Sequence, residues 1–142
     1  MNKQTKSTKI SEIQRNWHLL DVKEKILGRS ASDIALLLAG KSKPNFVRNL
    51  DCGDFVVVIN AATIRVTGNK ENDKKYYSHS GYPGGLKVKT VREVRVDNPT
   101  EILRHAVSGM LPQNRLKPKM LKRLYIFPNE THTYKDKFNN NA

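Results

Sequence analysis

The 142-residue sequence has a single cysteine, Cys52, and no run of about 18 apolar residues. One cysteine cannot form an internal disulfide, so the composition favours a reducing compartment. The sequence also lacks clustered Cys and His at zinc-ligand spacing, which excludes the common structural zinc sites. Without a long apolar run or a basic amphipathic helix with a broad apolar face, contact with a membrane is disfavoured.

Acidic residues are scarce, because 13 Asp and Glu stand against 26 Lys and Arg and give a formal net charge of +13. Such a surface repels itself, and a polyanion relieves the repulsion because each cation near a phosphate also releases condensed counterions. Nucleic acid is therefore the predicted partner. With 37% hydrophobic residues, the chain is still long enough to form one compact domain with a core.

The eight glycines match neither of the spacings that bind nucleotide phosphates, G-x-G-x-x-G and G-x-x-x-x-G-K-[ST]. A bare G-x-x-G ends at Gly84, but its centre, Tyr82-Pro83, has no cation and lacks one backbone donor. Cys52 and the four histidines lie outside any recognisable catalytic motif. We therefore predict no catalytic residue, no metal site, no cofactor and no small-molecule substrate.

Apolar patterning in the first half of the chain predicts an α/β domain. Residues 17–22 form an apolar run of strand length, and residues 30–40 combine N-cap residues, apolar positions at helical spacing and a terminal glycine. The continuous β-branched run at residues 55–59 is typical of a strand covered on both faces, as in a parallel sheet. Strand, helix and buried strand together indicate a βαβ unit.

The second half adds a short extended piece at residues 64–67 and a capping box formed by Thr90 and Glu93. A helix is predicted to start at Asn98-Pro99, with the proline at its first position, and residues 124–127 are predicted to form a last strand before a proline. We expect residues 18–22, 55–60 and 124–127 to be strands of one mainly parallel sheet, with helices on both faces.

Composition divides the chain into three parts. Residues 1–15 are polar, carry Lys3, Lys6, Lys9 and Arg15, and lack the apolar stretch of a secretory signal. We interpret them as a basic RNA-contacting arm, with a frayed, solvated tail as the open alternative. Residues 16–128 are predicted to form a single α/β RNA-binding domain. Residues 129–142 are predicted to be a polar tail, which includes a short run of asparagines at 139–141.

The densest positive cluster is residues 115–123, with five cations and no acid. We predict that its cations meet phosphates while Leu116, Met120 and Leu121 pack inward and anchor the segment. Pro118 cannot donate a backbone hydrogen bond, so it favours an irregular or restarted helix. The residues assigned to RNA contact here are Arg115, Lys117, Lys119, Lys122 and Arg123.

A second basic region, residues 70–89, interleaves cations with aromatic residues and glycines. Tyrosine and histidine rings can stack on unpaired bases, and glycines let a backbone come close to RNA. An ordinary exposed loop whose tyrosines pack on the domain is the open alternative. The residues assigned to RNA contact here are Lys70, Lys74, Lys75, Tyr77, His79, Ser80, Tyr82, Gly84, Gly85 and Lys87.

Several long motifs in this order resemble one protein family, that of the thirteenth protein of the large ribosomal subunit in its bacterial and organellar form. The resemblance covers nearly all of residues 17–127. Its most specific motifs are VTGNK at residues 66–70, KYYSHSGYPGGLK at 75–87 and AVSGMLPQNRL at 106–116. Shorter matches are LGR at 27–29, GKSKP at 40–44 and DCGDFVVVINA at 51–61.

The resemblance implies a three-layer α/β/α domain around a small, mainly parallel, four-stranded sheet. It implies a structural constituent of the large ribosomal subunit that binds large-subunit ribosomal RNA, lies among neighbouring large-subunit proteins and supports early subunit assembly. It implies no enzyme. Arg29, Lys41 and Lys43, which lie in the matched motifs, join the predicted RNA-binding residues.

The implied location is the ribosome, in the cytoplasm or in an organelle. The alternative function is a free-standing RNA-binding regulator of translation, such as a repressor that recognises a messenger similar to its ribosomal site. A nucleotide-dependent or RNA-cleaving enzyme of α/β type is a third, weaker hypothesis.

Overall fold

The structure, a computed structural model, describes residues 7–139. Its strands are β1 Trp17–Asp21, β2 Phe55–Ile59, β3 Lys75–His79, β4 Leu86–Thr90 and β5 Leu124–Ile126. Its α-helices are α1 Leu27–Ala39, α2 Lys70–Asp73, α3 Val91–Asp97, α4 Pro99–Met110, α5 Lys117–Leu121 and α6 Asp136–Asn139. Short 3-10 turns lie at Ile10–Glu12 and Ala61–Thr63.

The parallel sheet has three strands in the order β1-β2-β5, which confirms the α/β class but corrects the expected four strands. β2 lies between its two partners, and cover on both faces of the sheet explains why its sequence is apolar at every position. The predicted extended piece at residues 64–67 contributes only one bridge, between Arg65 and Ile26. Gly68, at φ +67°, then turns the chain, so this piece joins the start of α1 and adds no strand.

One face of the sheet packs against α1, and residues of α3 and α4 extend the same buried cluster. Val56 and Val58 of β2 share a buried cluster with Ile34 and Leu38 of α1, and α4 contributes Leu103. α1 begins at residue 27, earlier than predicted, and ends as predicted before Gly40. Gly40 adopts φ +76°, and its N–H donates back to the last turn of the helix.

The other face of the sheet carries aromatic side chains, because successive strand residues point to opposite faces. Trp17 stacks on Phe55 with ring centroids 4.4 Å apart. Tyr134 lies 4.5 Å from Tyr125 and 5.4 Å from Trp17, and Phe138 of α6 meets Trp17 edge-on. The C-terminal segment, predicted to be a polar tail, therefore packs on this face through its aromatic rings.

Residues 7–15 lie against the loop that follows α1. The Thr8 hydroxyl donates to the Asn45 carbonyl at 3.1 Å, and Arg15 Nη1 donates to the Gly53 carbonyl at 2.7 Å. Lys3 and Lys6 of the predicted basic arm lie outside the described residues, as do the asparagines at 140 and 141. The interpretation of the arm as an RNA contact therefore stays a prediction.

Candidate nucleic-acid interface

The basic cluster at residues 115–123 forms α5 and its flanking turns. The helix starts afresh at residue 117 with Pro118 in its first turn, as the proline predicts. Met120 is buried in the core, and Leu116 and Leu121 pack against it, so the predicted inward anchoring is confirmed. Arg115, Lys119 and Lys122 are exposed, and Lys117 is half-buried with its Nζ 2.9 Å from Gln113 Oε1.

Arg123 is the fifth cation of this cluster, and the prediction that it projects toward RNA is wrong. The residue is only 7% exposed. Both of its Nη groups bind the Asp51 carboxylate, and the guanidinium also donates to the backbone carbonyls of Asp54 and Leu38. A buried guanidinium needs such partners, so Arg123 holds the loop before β2 in place.

Lys43 also points inward. Its Nζ lies 2.5 Å from Oδ1 of the buried Asp54, which accepts a further hydrogen bond from the Asn16 N–H and contacts His18 Nε2 at 3.0 Å. Burial alone would raise the pKa of Asp54, but the hydrogen bonds from Lys43, Asn16 and His18 outweigh it and lower that pKa below its ordinary value. The Lys43 ammonium that was assigned to RNA is therefore committed to the fold.

The second basic region, for which an ordinary exposed loop was the open alternative, contains a β-hairpin in which β3 pairs antiparallel with β4. The pairing sets Tyr77 opposite Val88 and His79 opposite Leu86, so these four side chains share one face. Tyr77 is 67% exposed, and Tyr82 in the turn between the strands is 75% exposed. Lys74, Lys75 and Lys87 are also exposed in this segment, although Lys87 pairs with Ser78 and so lies on the opposite face of the hairpin from Tyr77.

The hairpin turn needs its glycines for its own shape. Gly84 adopts φ +72°, which side chains resist. A Cβ on Gly85 would lie 2.1 Å from Ser80 Oγ and 2.9 Å from the Tyr82 carbonyl oxygen. The turn conformation explains both glycines, and it leaves the Tyr82 ring in solvent. Close approach of RNA to this backbone stays a prediction.

Three further residues assigned to RNA are spread over the surface. Arg29 lies in the first turn of α1, Lys41 follows its C-cap, and Lys70 begins α2, and all three are exposed. Between residues 7 and 139, none of the three forms an ion pair. Their charges are therefore available to an anionic partner.

Two basic residues that were not among the predicted RNA contacts lie near this surface. Arg65 and His105 line one groove with Lys70 and Lys74, although they come from separate parts of the chain. Only the fold brings them together. For the described part of the chain, no group of three or more His, Cys, Asp and Glu residues could hold a metal ion, and no helix could span a bilayer.

The fold and this surface define a small α/β domain whose projecting cations suit a polyanionic partner. A sequence model of one family, described as Ribosomal protein L13, matches residues 15–133. The chain therefore belongs to the ribosomal protein L13 family. The family resemblance seen in the sequence motifs is confirmed.

Relatives agree over almost the whole chain. Three proteins named large ribosomal subunit protein uL13, from Aquifex aeolicus, Halorhodospira halophila and Citrifermentans bemidjiense, are 50%, 48% and 49% identical to it. The matches cover 89% of this chain and 88% of the relative in the first case, and 92% of both proteins in the other two.

Proposed function

We propose that this protein is a structural constituent of the large ribosomal subunit, where it binds large-subunit ribosomal RNA and supports early subunit assembly. The family match over residues 15–133 carries the proposal, because it includes every element from β1 to β5. The relatives named above are proteins of that subunit. The net charge of +13 provides the physical means, since phosphate contacts dominate binding to RNA.

The proposed interface has two main parts that make different contacts. The α5 region offers Arg115, Lys117, Lys119 and Lys122 as point charges for phosphates, which position a protein on RNA. The hairpin combines Lys74, Lys75 and Lys87 with the exposed rings of Tyr77, His79 and Tyr82, which suit stacking on unpaired bases. Ser80 and the turn glycines Gly84 and Gly85 complete the hairpin part, and Arg29, Lys41 and Lys70 extend the basic surface.

The proposal assigns the protein a scaffolding role and no catalytic step. Neighbouring large-subunit proteins are its further proposed partners, and the ribosome it occupies is cytoplasmic or organellar. Lys43 and Arg123 are left out of the interface because their charges are committed to Asp54 and Asp51.

Gradient sedimentation of lysates with RNA crosslinking tests the proposal. We expect the protein to migrate with large subunits and with their early precursors, and its crosslinks to map to large-subunit ribosomal RNA. A protein that stays in the light fractions and crosslinks to messenger RNA would instead support the free-standing regulator of translation.

A further inference from the structure

A groove of about 610 Å³ lies between the first turn of α1, residues 65–67 and the last turns of α4. Its volume falls in the range of sites that hold ligand-sized groups. Four basic residues line it, all of them exposed: Arg65, Lys70, Lys74 and His105. Among the described residues, the groove lining contains no acid.

The positive charge in this groove is not neutralised by the protein. Arg65, Lys70 and Lys74 form no ion pair with any acid placed between residues 7 and 139. Glu71, which follows Lys70, is instead bound by the guanidinium of Arg95, with its Oε1 2.8 Å from Nε. Lys74 Nζ lies 5.5 Å from the centre of the Tyr76 ring, which does not cancel its charge. Three cations without an acidic partner around one groove favour a ligand that carries several negative charges.

Two glycines form part of the groove wall, and contacts within the protein do not explain them. Gly28 lies in the first turn of α1, and Gly109 is the second-last residue of α4. Neither adopts a positive φ, and a Cβ at either position would meet nothing within 4 Å. Gly53 is the opposite case, since its Cβ would lie 1.7 Å from the Leu38 carbonyl oxygen.

Helix termination does not explain Gly109 either. The C-cap of α4 is Leu111, which is extended at φ −75° and whose N–H donates to the Val107 carbonyl. A glycine within a helix lowers helix stability relative to alanine. Gly109 makes no close packing contact, forms no turn and does not cap the helix. A partner that comes close to the helix backbone from outside would account for a glycine at this position.

We infer that this groove binds a stretch of RNA sugar–phosphate backbone, with Arg65, Lys70 and Lys74 at the phosphates and the riboses against Gly28 and Gly109. The inference deepens the proposed function and rests on it. An acidic protein segment is the rival occupant. RNA is favoured because its charge is regularly spaced along a chain whose riboses offer carbon atoms to the apolar part of the lining, Ile26, Leu27, Val66, Ala106 and Met110.

Substitution of Gly109 should have opposite effects on the stability of the free protein and on its affinity for RNA. Gly109→Ala should raise the Tm of the free protein by about 2–4 °C, because alanine is the better helix former and its methyl group meets nothing. The same variant should weaken binding to protein-free large-subunit ribosomal RNA. Gly109→Leu, which fills the groove with another good helix former, should weaken it roughly tenfold or more.

Val96→Leu is the matched control. Val96 is 83% exposed on α3, outside the groove lining, so the change adds bulk to an exposed helix without approaching the site. Its affinity for the same RNA should stay within about twofold of the parent. Circular dichroism on each variant confirms folding, and Gly109→Ala provides the result if Gly109→Leu does not fold.

A charge-matched pair tests the cations. Arg65→Gln with Lys70→Gln should reduce the slope of log affinity against log salt by roughly 0.7–0.9 per lost phosphate contact. Lys23→Gln with Arg92→Gln removes the same net charge elsewhere and should change the slope less. If the parent binds RNA in a salt-dependent way and the glycine variants bind equally well, the groove inference is wrong and the proposed function stands. If the parent shows no salt-dependent binding to this RNA, both are wrong.

Discussion

Lys122 and Arg123 are neighbours in the chain but lie in opposite environments. Lys122 is exposed, whereas Arg123 is buried and binds Asp51 with both Nη groups. A second cation also lies near this carboxylate, since Arg15 Nη2 is 3.7 Å from Asp51 Oδ2. One side chain of this pair is therefore available to a partner, and the other fixes the loop before β2.

Arg123→Gln is expected to destabilise the protein by about 3 kcal/mol, because it leaves a mostly buried carboxylate that, among the described residues, pairs with the more distant Arg15 alone. Lys122→Gln is the matched control and should change the free energy of unfolding by less than about 0.5 kcal/mol. Urea denaturation followed by circular dichroism measures both. Equal effects of the two substitutions would contradict the assigned roles.

Asp54 makes stability depend on pH on the acid side. Burial would raise its pKa, but hydrogen bonds from Lys43, Asn16 and His18 lower it overall. A lowered carboxyl pKa stabilises the fold fully above the unfolded value of about 3.9, and the contribution is lost as pH falls through the folded pKa.

Asp54→Asn is therefore expected to lower stability near neutral pH by roughly 2–3 kcal/mol and to flatten the loss of stability below about pH 4. Thermal melts across that pH range measure the effect. Asp33→Asn, on the exposed side of α1, is the control and should keep the parental profile. A parental profile in the Asp54 variant would show that this carboxylate does not stabilise the fold.

The β3–β4 hairpin depends for its stability on contacts at the end that joins the rest of the domain, away from the turn. A two-stranded hairpin is marginal alone. Here the Val91 N–H donates to the Lys74 carbonyl, and half-buried Tyr76 packs against the core. The turn beyond is exposed, so Tyr82 can be changed with little effect on the fold.

Tyr82→Ala should weaken binding to protein-free large-subunit ribosomal RNA by about 1–3 kcal/mol if its ring stacks on a base. Tyr82→Phe keeps the ring and should bind like the parent. Filter binding at fixed salt measures both, and unchanged Tm values confirm that the fold is kept. If Tyr82→Ala binds as tightly as Tyr82→Phe, the turn is only a surface feature.

Local patterns in the sequence predicted the elements that depend on neighbouring residues. The capping box forms as its spacing indicates, because Thr90 Oγ1 accepts from the Glu93 N–H and Glu93 Oε2 accepts from the Thr90 N–H. β2 was predictable for the same reason, since its burial on both faces leaves an unbroken apolar run. The family resemblance provided the broad architecture.

Features that depend on distant residues were not predictable in this way. Arg123 and Asp51 are 72 positions apart. Nothing in the basic run around Arg123 indicates that the fold places a carboxylate beside its guanidinium. β4 did have a signal, since Leu86 and Val88 alternate with lysines, but both are exposed and mark no core. The open space around Gly28 and Gly109 in the groove could be seen only in the folded structure.

At the scale of the whole molecule, the cations divide into a framework set and a projecting set. Arg15, Lys43, Arg95 and Arg123 bind acids and hold loops together, while the cations of the α5 region meet solvent. Removing projecting cations should therefore change binding without unfolding the protein.

Replacing Arg115, Lys117, Lys119 and Lys122 by Gln tests this division, because it removes four projecting charges and keeps Arg123 with Asp51. The parent should show a log–log salt slope of roughly −0.7 to −0.9 per neutralised phosphate, and five or more phosphates are expected. The variant should lose up to about one unit of slope per lost contact, with an unchanged circular dichroism spectrum. The control replaces Lys23, Arg92, Arg104 and Lys135, which are all exposed and lie outside the proposed interface. If the control lowers the slope as much as the α5 variant does, binding follows net charge alone and α5 has no special place in the interface.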